Sequence, residues 1–434
     1  MENKLALIGI SLVPLILTGI FLRPQILLYY LVLDSWVIMR ISQVTFSHPA
    51  LTLNRIMVYF GVLIIIFKRL LDRNLIPKAA KSIMTLFVII FLLYCFYSYY
   101  SYTRQFNFAI LNNLVFYFLA LALLDMDFEK SFRHICIIAL IPVVLLSGTT
   151  IINMVLHMDI GQRSYAGNRN SSAFYTLLGT AFLFAYRDML DQKKLKRIAV
   201  NGIIFVAIIT IGLSLGRMVT FILFLTIGFY FLRGYIPLKV LIAAGLMVAI
   251  IAASRFEIMD VYTKKLLRLP TANADITKYN QEEMTAFTSG RSEAYKAAWK
   301  LYLASPFLGI GYDRWVQMHK GQKGSSLHSQ WLQCLVETGI PGFLLYLSLY
   351  LIGFISLFAY FFKNSQSRGM PIKIVETLFV VLMGLFFVGL TGNHGFNDRI
   401  FYLFLAMIAT LANYNQAAAP TELPSSSPTY AKAD

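Results

Sequence analysis

Long apolar runs alternate with short polar turns along most of the chain. A bilayer-crossing helix takes about 20 mainly apolar residues. Runs that fit lie near 5–22, 55–67, 82–101, 107–124, 134–153, 171–186, 198–213, 218–232, 238–253, 341–362, 374–390 and 400–413. The pattern predicts an all-α polytopic membrane protein with about twelve transmembrane helices and one large exoplasmic loop containing short helices. A further run at 25–39 follows Arg23-Pro24 and carries Asp34. It reads as interfacial or re-entrant, and counting it as a span would add one crossing.

Composition agrees with this pattern. Of 434 residues, 58% are hydrophobic and 14% charged, against about 45–50% and about 25% in soluble domains. A single soluble domain, a disordered chain and a disulfide scaffold are excluded. The net charge of +17 would suggest nucleic acid in a soluble protein, but in a membrane protein basic loops set topology. Cys95, Cys136 and Cys334 lie in or beside apolar runs and match no metal-ligand or disulfide spacing. Met1-Glu-Asn-Lys leads into an apolar run without a small-residue cleavage site, which reads as a retained first span.

Basic residues in short loops fix sidedness. Lys68, Arg69, Arg73, Lys78 and Lys81 share one loop, and Arg187, Lys193, Lys194, Lys196 and Arg197 another. Arg233 with Lys239, and Lys363 with Arg368 and Lys373, mark two more. All four fall on one side under the twelve-span count, which is therefore cytoplasmic, with both termini. The chain divides into N-terminal spans (1–253), a large exoplasmic loop (254–330), C-terminal spans (331–415) and a Pro/Ser/Ala-rich tail (416–434) expected to be disordered. In the loop, residues 291–303 carry Tyr295, Trp299 and Tyr302 at helical spacing. Either a helix at the membrane surface or a helix packed within the loop fits them.

The polar residues that do not set topology gather on the exoplasmic side. They include His157, Arg163, Arg169, Arg217, Arg291, His319, His328, His394 and Arg399. Arginines at a membrane edge against the positive-inside tendency can pair with lipid headgroups or hold an anionic ligand, and their concentration on one face favours the ligand. His328 stands out. The stretch 324–339 reads as a short helix that Ser325 or Ser326 can cap and Gly339 can end, with Pro341 opening the next span. His328 would lie in its first turn, where the helix dipole favours the neutral imidazole that a general base requires. Glu337, nine residues on, points elsewhere and is not its orienting partner. A lone histidine is more often structural, so surrounding residues must decide.

Those residues carry a resemblance. His328-Ser329, nine residues, Gly339, two residues and Gly342 resemble the signature of the O-antigen ligase family. The SGR at 289–291, Trp299 and SPFLGIGYDRW at 305–315 are similar to the approach to that histidine, and GNRN (167–170) and SLGRM (214–218) to two earlier landmarks. The resemblance covers roughly 155–395. It implies a helical fold of the glycosyltransferase-C kind in the bacterial inner membrane, with the large loop and active site in the periplasm. It implies transfer of a glycan from undecaprenyl diphosphate to an acceptor hydroxyl, without metal or cofactor. His328 and Arg291 would be catalytic, and Arg163, Arg169 and Arg217 would hold the diphosphate. The expected partners are the carrier-linked donor, lipid A-core or a second lipid-linked glycan as acceptor, and membrane lipid, with no nucleic acid. Transfer to lipid A-core (a ligase) leads, and polymerisation of lipid-linked units is the alternative. A lipid-linked sugar transporter would instead place ionisable residues at mid-span, where only Asp34, Asn112 and Asn113 come near. Asp125-Met-Asp127 matches a D-x-D metal pattern but falls in a cytoplasmic loop and reads as non-catalytic.

Overall fold

The most apolar part of the C-terminal half, RIFYLFLAMIATLA from Arg399, has no polar face, and a helix hydrophobic all round must be enclosed by others. In the computed structural model it is the centre of the molecule: Ile400 through Ala409 are all buried. The structure describes residues 23–36, 53–71, 76–157, 169–190, 193–214, 217–236, 291–318, 327–363, 369–392, 396 and 398–417. In chain order the helices are α1 (Gln25–Trp36), α2 (Leu53–Leu71), α3 (Ile83–Thr103), α4 (Phe108–Leu124), α5 (Phe128–Ile138), α6 (Leu140–His157) and α7 (Arg169–Asp188). They continue with α8 (Lys194–Leu213), α9 (Arg217–Leu232), α10 (Arg291–Ala304), α11 (Arg314–Met318), α12 (Gln330–Lys363), α13 (Met370–Thr391) and α14 (Arg399–Ala417). Around α14 pack α4, α12, α13 and α3, while α7 joins α6, α8 and α13.

Every predicted run between 55 and 232 and between 341 and 413 coincides with a helix. Among the described residues, 5 helices are long and apolar enough to cross a membrane. The runs 5–22 and 238–253 and the tail from 418 lie outside the described residues. The run at 25–39 becomes α1, whose 12 residues extend about 18 Å at about 1.5 Å each, well short of the about 30 Å hydrocarbon core. It packs inside the helix bundle: Leu27, Leu28, Leu31 and Val32 are fully enclosed, and the Trp36 indole donates to the Tyr175 carbonyl at 3.0 Å.

Several residues assigned to topology also tie helices together. Arg233 and the Tyr235 hydroxyl both donate to the buried Glu376 carboxylate, and Lys373 Nζ donates to the Asp188 carbonyl at 2.7 Å. This clasp joins the ends of α7 and α9 to the start of α13. Arg69 pairs with Asp125 at 3.2 Å, and Asp127 caps α5 by accepting the Lys130 N–H at 3.0 Å. Both aspartates of the D-x-D triplet thus have structural partners. Cys95, Cys136 and Cys334 are unpaired and buried.

Candidate active site

The region around His328 is assembled by two backbone segments that cross. The turn 305–311 lies against residues 336–340: the Ile310 N–H donates to the Val336 carbonyl, Gly311 to Glu337, and Ile340 to Pro306, at 2.8–2.9 Å. Such closeness leaves no room for a Cβ. One added to Gly309 would land on the Glu337–Thr338 peptide, and one added to Gly339 on the Phe307 carbonyl. Both glycines have positive φ, 68° and 67°, a conformation costly to other L-residues. At Gly339 the helical path of α12 breaks. The segment 330–338 is a separate short helix, and Pro341 sits in the first turn of the span that follows. The nine residues between Ser329 and Gly339 in the motif are thus one helix from cap to break.

The helix start differs from the expected one. Ser329, not Ser325 or Ser326, holds the cap: its Oγ accepts the Leu332 N–H at 3.3 Å and its carbonyl the Gln333 N–H at 2.9 Å. His328 therefore lies just outside the helix, with a left-handed backbone at φ 50°. The expected capping serines belong to the 319–326 stretch outside the described residues. The cap settles on the serine adjoining the helix because a serine oxygen reaches only N–H groups two or three residues ahead. A non-glycine residue held in this region costs about 1–3 kcal/mol and persists only where its surroundings dictate it. His328 remains close to the positive end of the helix. Asp313, also left-handed at φ 60°, is the second such residue in the loop.

Glu337 joins the crossing segments. Fully buried, its carboxylate accepts the backbone N–H of Asp313 at 3.0 Å and of Trp315 at 3.1 Å, and the Gln333 amide at 3.1 Å. It caps α11 from a distance, in keeping with the sequence reading that it does not serve His328. Along α3, Tyr94, Ser98 and Tyr102 recur at intervals of four. Their hydroxyls bond to the Phe307 carbonyl (2.7 Å), the Leu308 carbonyl (2.9 Å) and Ser305 Oγ (2.7 Å). Above the crossing, Ala298, Ile310, Trp315, Leu327 and Val336 form a small core of their own. Helix α10 packs into it through Tyr295 and Tyr302, while Trp299 and Leu303 stay half or more exposed. It is a packed loop helix with an apolar outer edge. Below, Trp331 lies among Tyr346, Tyr350 and Phe386.

The partly buried Asp313 carboxyl titrates above its ordinary value because burial penalises its charge, an effect partly offset by Gln317. Arg169, Arg217 and Arg291 each open a helix, α7, α9 and α10 respectively; their side chains, and Arg163 entirely, lie outside the described residues. The side chain of His157, and His319 and His394 entirely, fall there too. Arg399 is described, with its guanidinium 5.9 Å from the Phe116 ring centre. Among the described residues, no group of His, Cys, Asp and Glu is arranged to hold a metal.

Sequence reasoning missed Gln330, fully buried beside His328 with neither amide atom partnered. Its signal was present: Gln330, Gln333 and Glu337 form a polar stripe at helical spacing. Asp313 and the α3 hydroxyls were also missed.

All-helical over its described residues, with several helices able to cross a bilayer, the chain is a polytopic membrane protein. Residues 202–347 match the O-antigen ligase family, whose members are glycosyltransferase-like enzymes, ligases and polymerases, of lipid-linked glycans. The matched stretch, about a third of the chain, takes in Arg217, Arg291, His328, Gly339 and Gly342, and begins after Arg163 and Arg169. No curated protein matches the chain.

Proposed function

We propose that the protein transfers a glycan from undecaprenyl diphosphate to an acceptor hydroxyl on the periplasmic side of the bacterial inner membrane, most simply to lipid A-core. His328 takes the proton from the acceptor hydroxyl. The freed oxygen attacks the anomeric carbon, and the bond from that carbon to the diphosphate breaks. Negative charge gathers on the departing diphosphate, where the planar guanidinium of arginine suits two phosphate oxygens. Arg291 and Arg217, with Arg163 and Arg169 in support, fill that role. The reaction needs no metal in this scheme, since fixed cations hold the leaving group.

The observation that carries the reading is the placement of His328. It is held in a left-handed backbone directly before a capped helix, inside the stretch that matches the ligase family. Strained residues of this kind cluster at functional sites. The transporter reading has less support: the ion pair of the buried Glu376 with the partly exposed Arg233 is closed on itself near helix ends.

The test is reconstitution with an undecaprenyl-diphosphate-linked glycan and, in parallel, lipid A-core or a second carrier-linked unit. Product on lipid A-core supports a ligase, and chain extension a polymerase. His328→Ala should lower either by about 10²–10⁴-fold, the usual contribution of a general base. Unchanged turnover would remove His328 from the mechanism.

A further inference from the structure

Gln330 is the first residue of the short helix and follows His328 by two positions. It is fully buried, yet neither Oε1 nor Nε2 has a hydrogen-bond partner. A carboxamide offers two donors and two acceptor sites, and enclosing them unmet forfeits their hydration without return. Elsewhere among the described residues a buried polar side chain leaves a single atom unmet, as with the hydroxyls of Thr220 and Thr226 and one oxygen of Asn112. Among the described residues, Gln330 alone leaves both ends of its polar group unmet. One turn further on, Gln333 shows the ordinary solution, its amide donating to Glu337 at 3.1 Å. Near it in sequence, Leu327, Trp331 and Val336 are apolar and buried, and a leucine enclosed at 330 would leave no polar atom unmet. An amide kept there without a protein partner suits one supplied from outside.

We infer that Gln330 binds the acceptor sugar through a neighbouring pair of its hydroxyls, beside the hydroxyl that His328 deprotonates. The inference rests on the proposed transfer reaction. Its geometry follows from the chain: Cα atoms two residues apart are separated by no more than about 7.6 Å, the scale of one sugar ring. A vicinal diol offers one oxygen to donate to Oε1 and one to accept from Nε2. The same chemistry exists on the donor glycan, so the two sources must be separated by measurement.

The experiment uses the full chain in nanodiscs, with undecaprenyl-diphosphate-linked glycan as donor and lipid A-core or a second carrier-linked unit as acceptor. Gln330→Leu and Gln330→Met are compared with wild type for melting temperature and for KM toward each substrate. Both variants should melt at or above the wild-type temperature, because an unmet amide has been removed. KM for the acceptor should rise about tenfold or more, with KM for the donor unchanged. Wild-type kinetics in a stably folded variant would overturn the assignment, and so would a rise confined to the donor. Should leucine prevent folding, methionine, unbranched and close in length to glutamine, gives the same reading; a fall in melting temperature for both would make Gln330 structural. A wild-type protein inactive with both acceptors would overturn the transfer reading, and this inference with it.

Discussion

The carboxylate of Glu337 accepts the backbone N–H of Trp315 at 3.1 Å across a sequence gap of 22 residues. With the Asp313 N–H and the Gln333 amide it completes a three-donor set around one buried side chain. The turn leading into α11 and the helix that follows His328 are thereby held as a unit.

Glu337→Ala should leave those donors unmet, at about 1–3 kcal/mol each. The melting temperature of the purified protein should fall by several degrees, and transfer activity with it. Glu337→Gln, which keeps one acceptor oxygen, should lose less. Equal melting of the alanine variant and wild type would show that the set contributes little.

Gly339→Ala is expected to be more damaging than its size suggests. The left-handed conformation costs about 1–2 kcal/mol, and the new methyl meets the Phe307 carbonyl. A loss of about 2 kcal/mol or more in thermal or denaturant unfolding is the expected outcome. Gly202→Ala provides the contrast: it lies inside α8 with open space around it, and the change should stabilise by about 0.5–1 kcal/mol.

Asp313 gives a pH dependence whose sign can be worked out. Burial raises its folded-state value, so between the unfolded and folded values the folded protein keeps a proton that the unfolded chain has released. Stability from this group falls as pH rises through that window, and the full penalty persists above it. Asp313→Asn, which tolerates the left-handed backbone, should flatten melting temperature against pH from the ordinary carboxylate value upward and raise it at neutrality. A variant that melts lower than wild type at neutral pH would refute this.

Much of this was legible in the sequence, for physical reasons. Bilayer thickness forces long uninterrupted runs, so the predicted spans fell on helices wherever the structure describes them. Gly339 and Pro341 end and begin helices through their own backbones, and both did so where expected. The serine cap was misplaced by a few residues because several serines precede the helix and only three-dimensional reach selects Ser329. The Tyr94–Ser98–Tyr102 stripe passed as part of an apolar run, since its partners, two carbonyls and the Ser305 hydroxyl, lie some 200 positions away where composition cannot reveal them. Gln330 was hidden for the opposite reason: it has no partner to look for.

Arginine replaced by lysine keeps the charge but loses the planar fork. Arg291→Lys and Arg217→Lys should each lower transfer about tenfold or more, short of the about 10²–10³-fold that follows removal of a charge-stabilising donor. Rates would be measured at saturating donor. If both lysine variants worked at the wild-type rate, a general positive field would be enough.

Sidedness can be tested chemically, after Cys95, Cys136 and Cys334 are replaced. A cysteine at Ser325 should react with an impermeant thiol reagent in spheroplasts with an intact inner membrane. One at Lys194 should react only once that membrane is opened. The reverse pattern would put His328 in the cytoplasm, and the carrier-lipid reading would fall.

The crossing of Phe307 and Gly339 is made by main chain against main chain. The joint between the short helix and the long span beyond it is therefore shaped by backbone, and the Glu337 carboxylate and the α3 hydroxyls brace it. In a transferase of lipid-linked sugars this separates two demands. Under the proposed reaction, the height of the reacting groups above the lipid would be set by backbone, while Gln330, proposed to read the glycan, could vary without shifting it. A substitution at position 330 could then change the sugar that is recognised while the carrier's diphosphate is still met at the same depth.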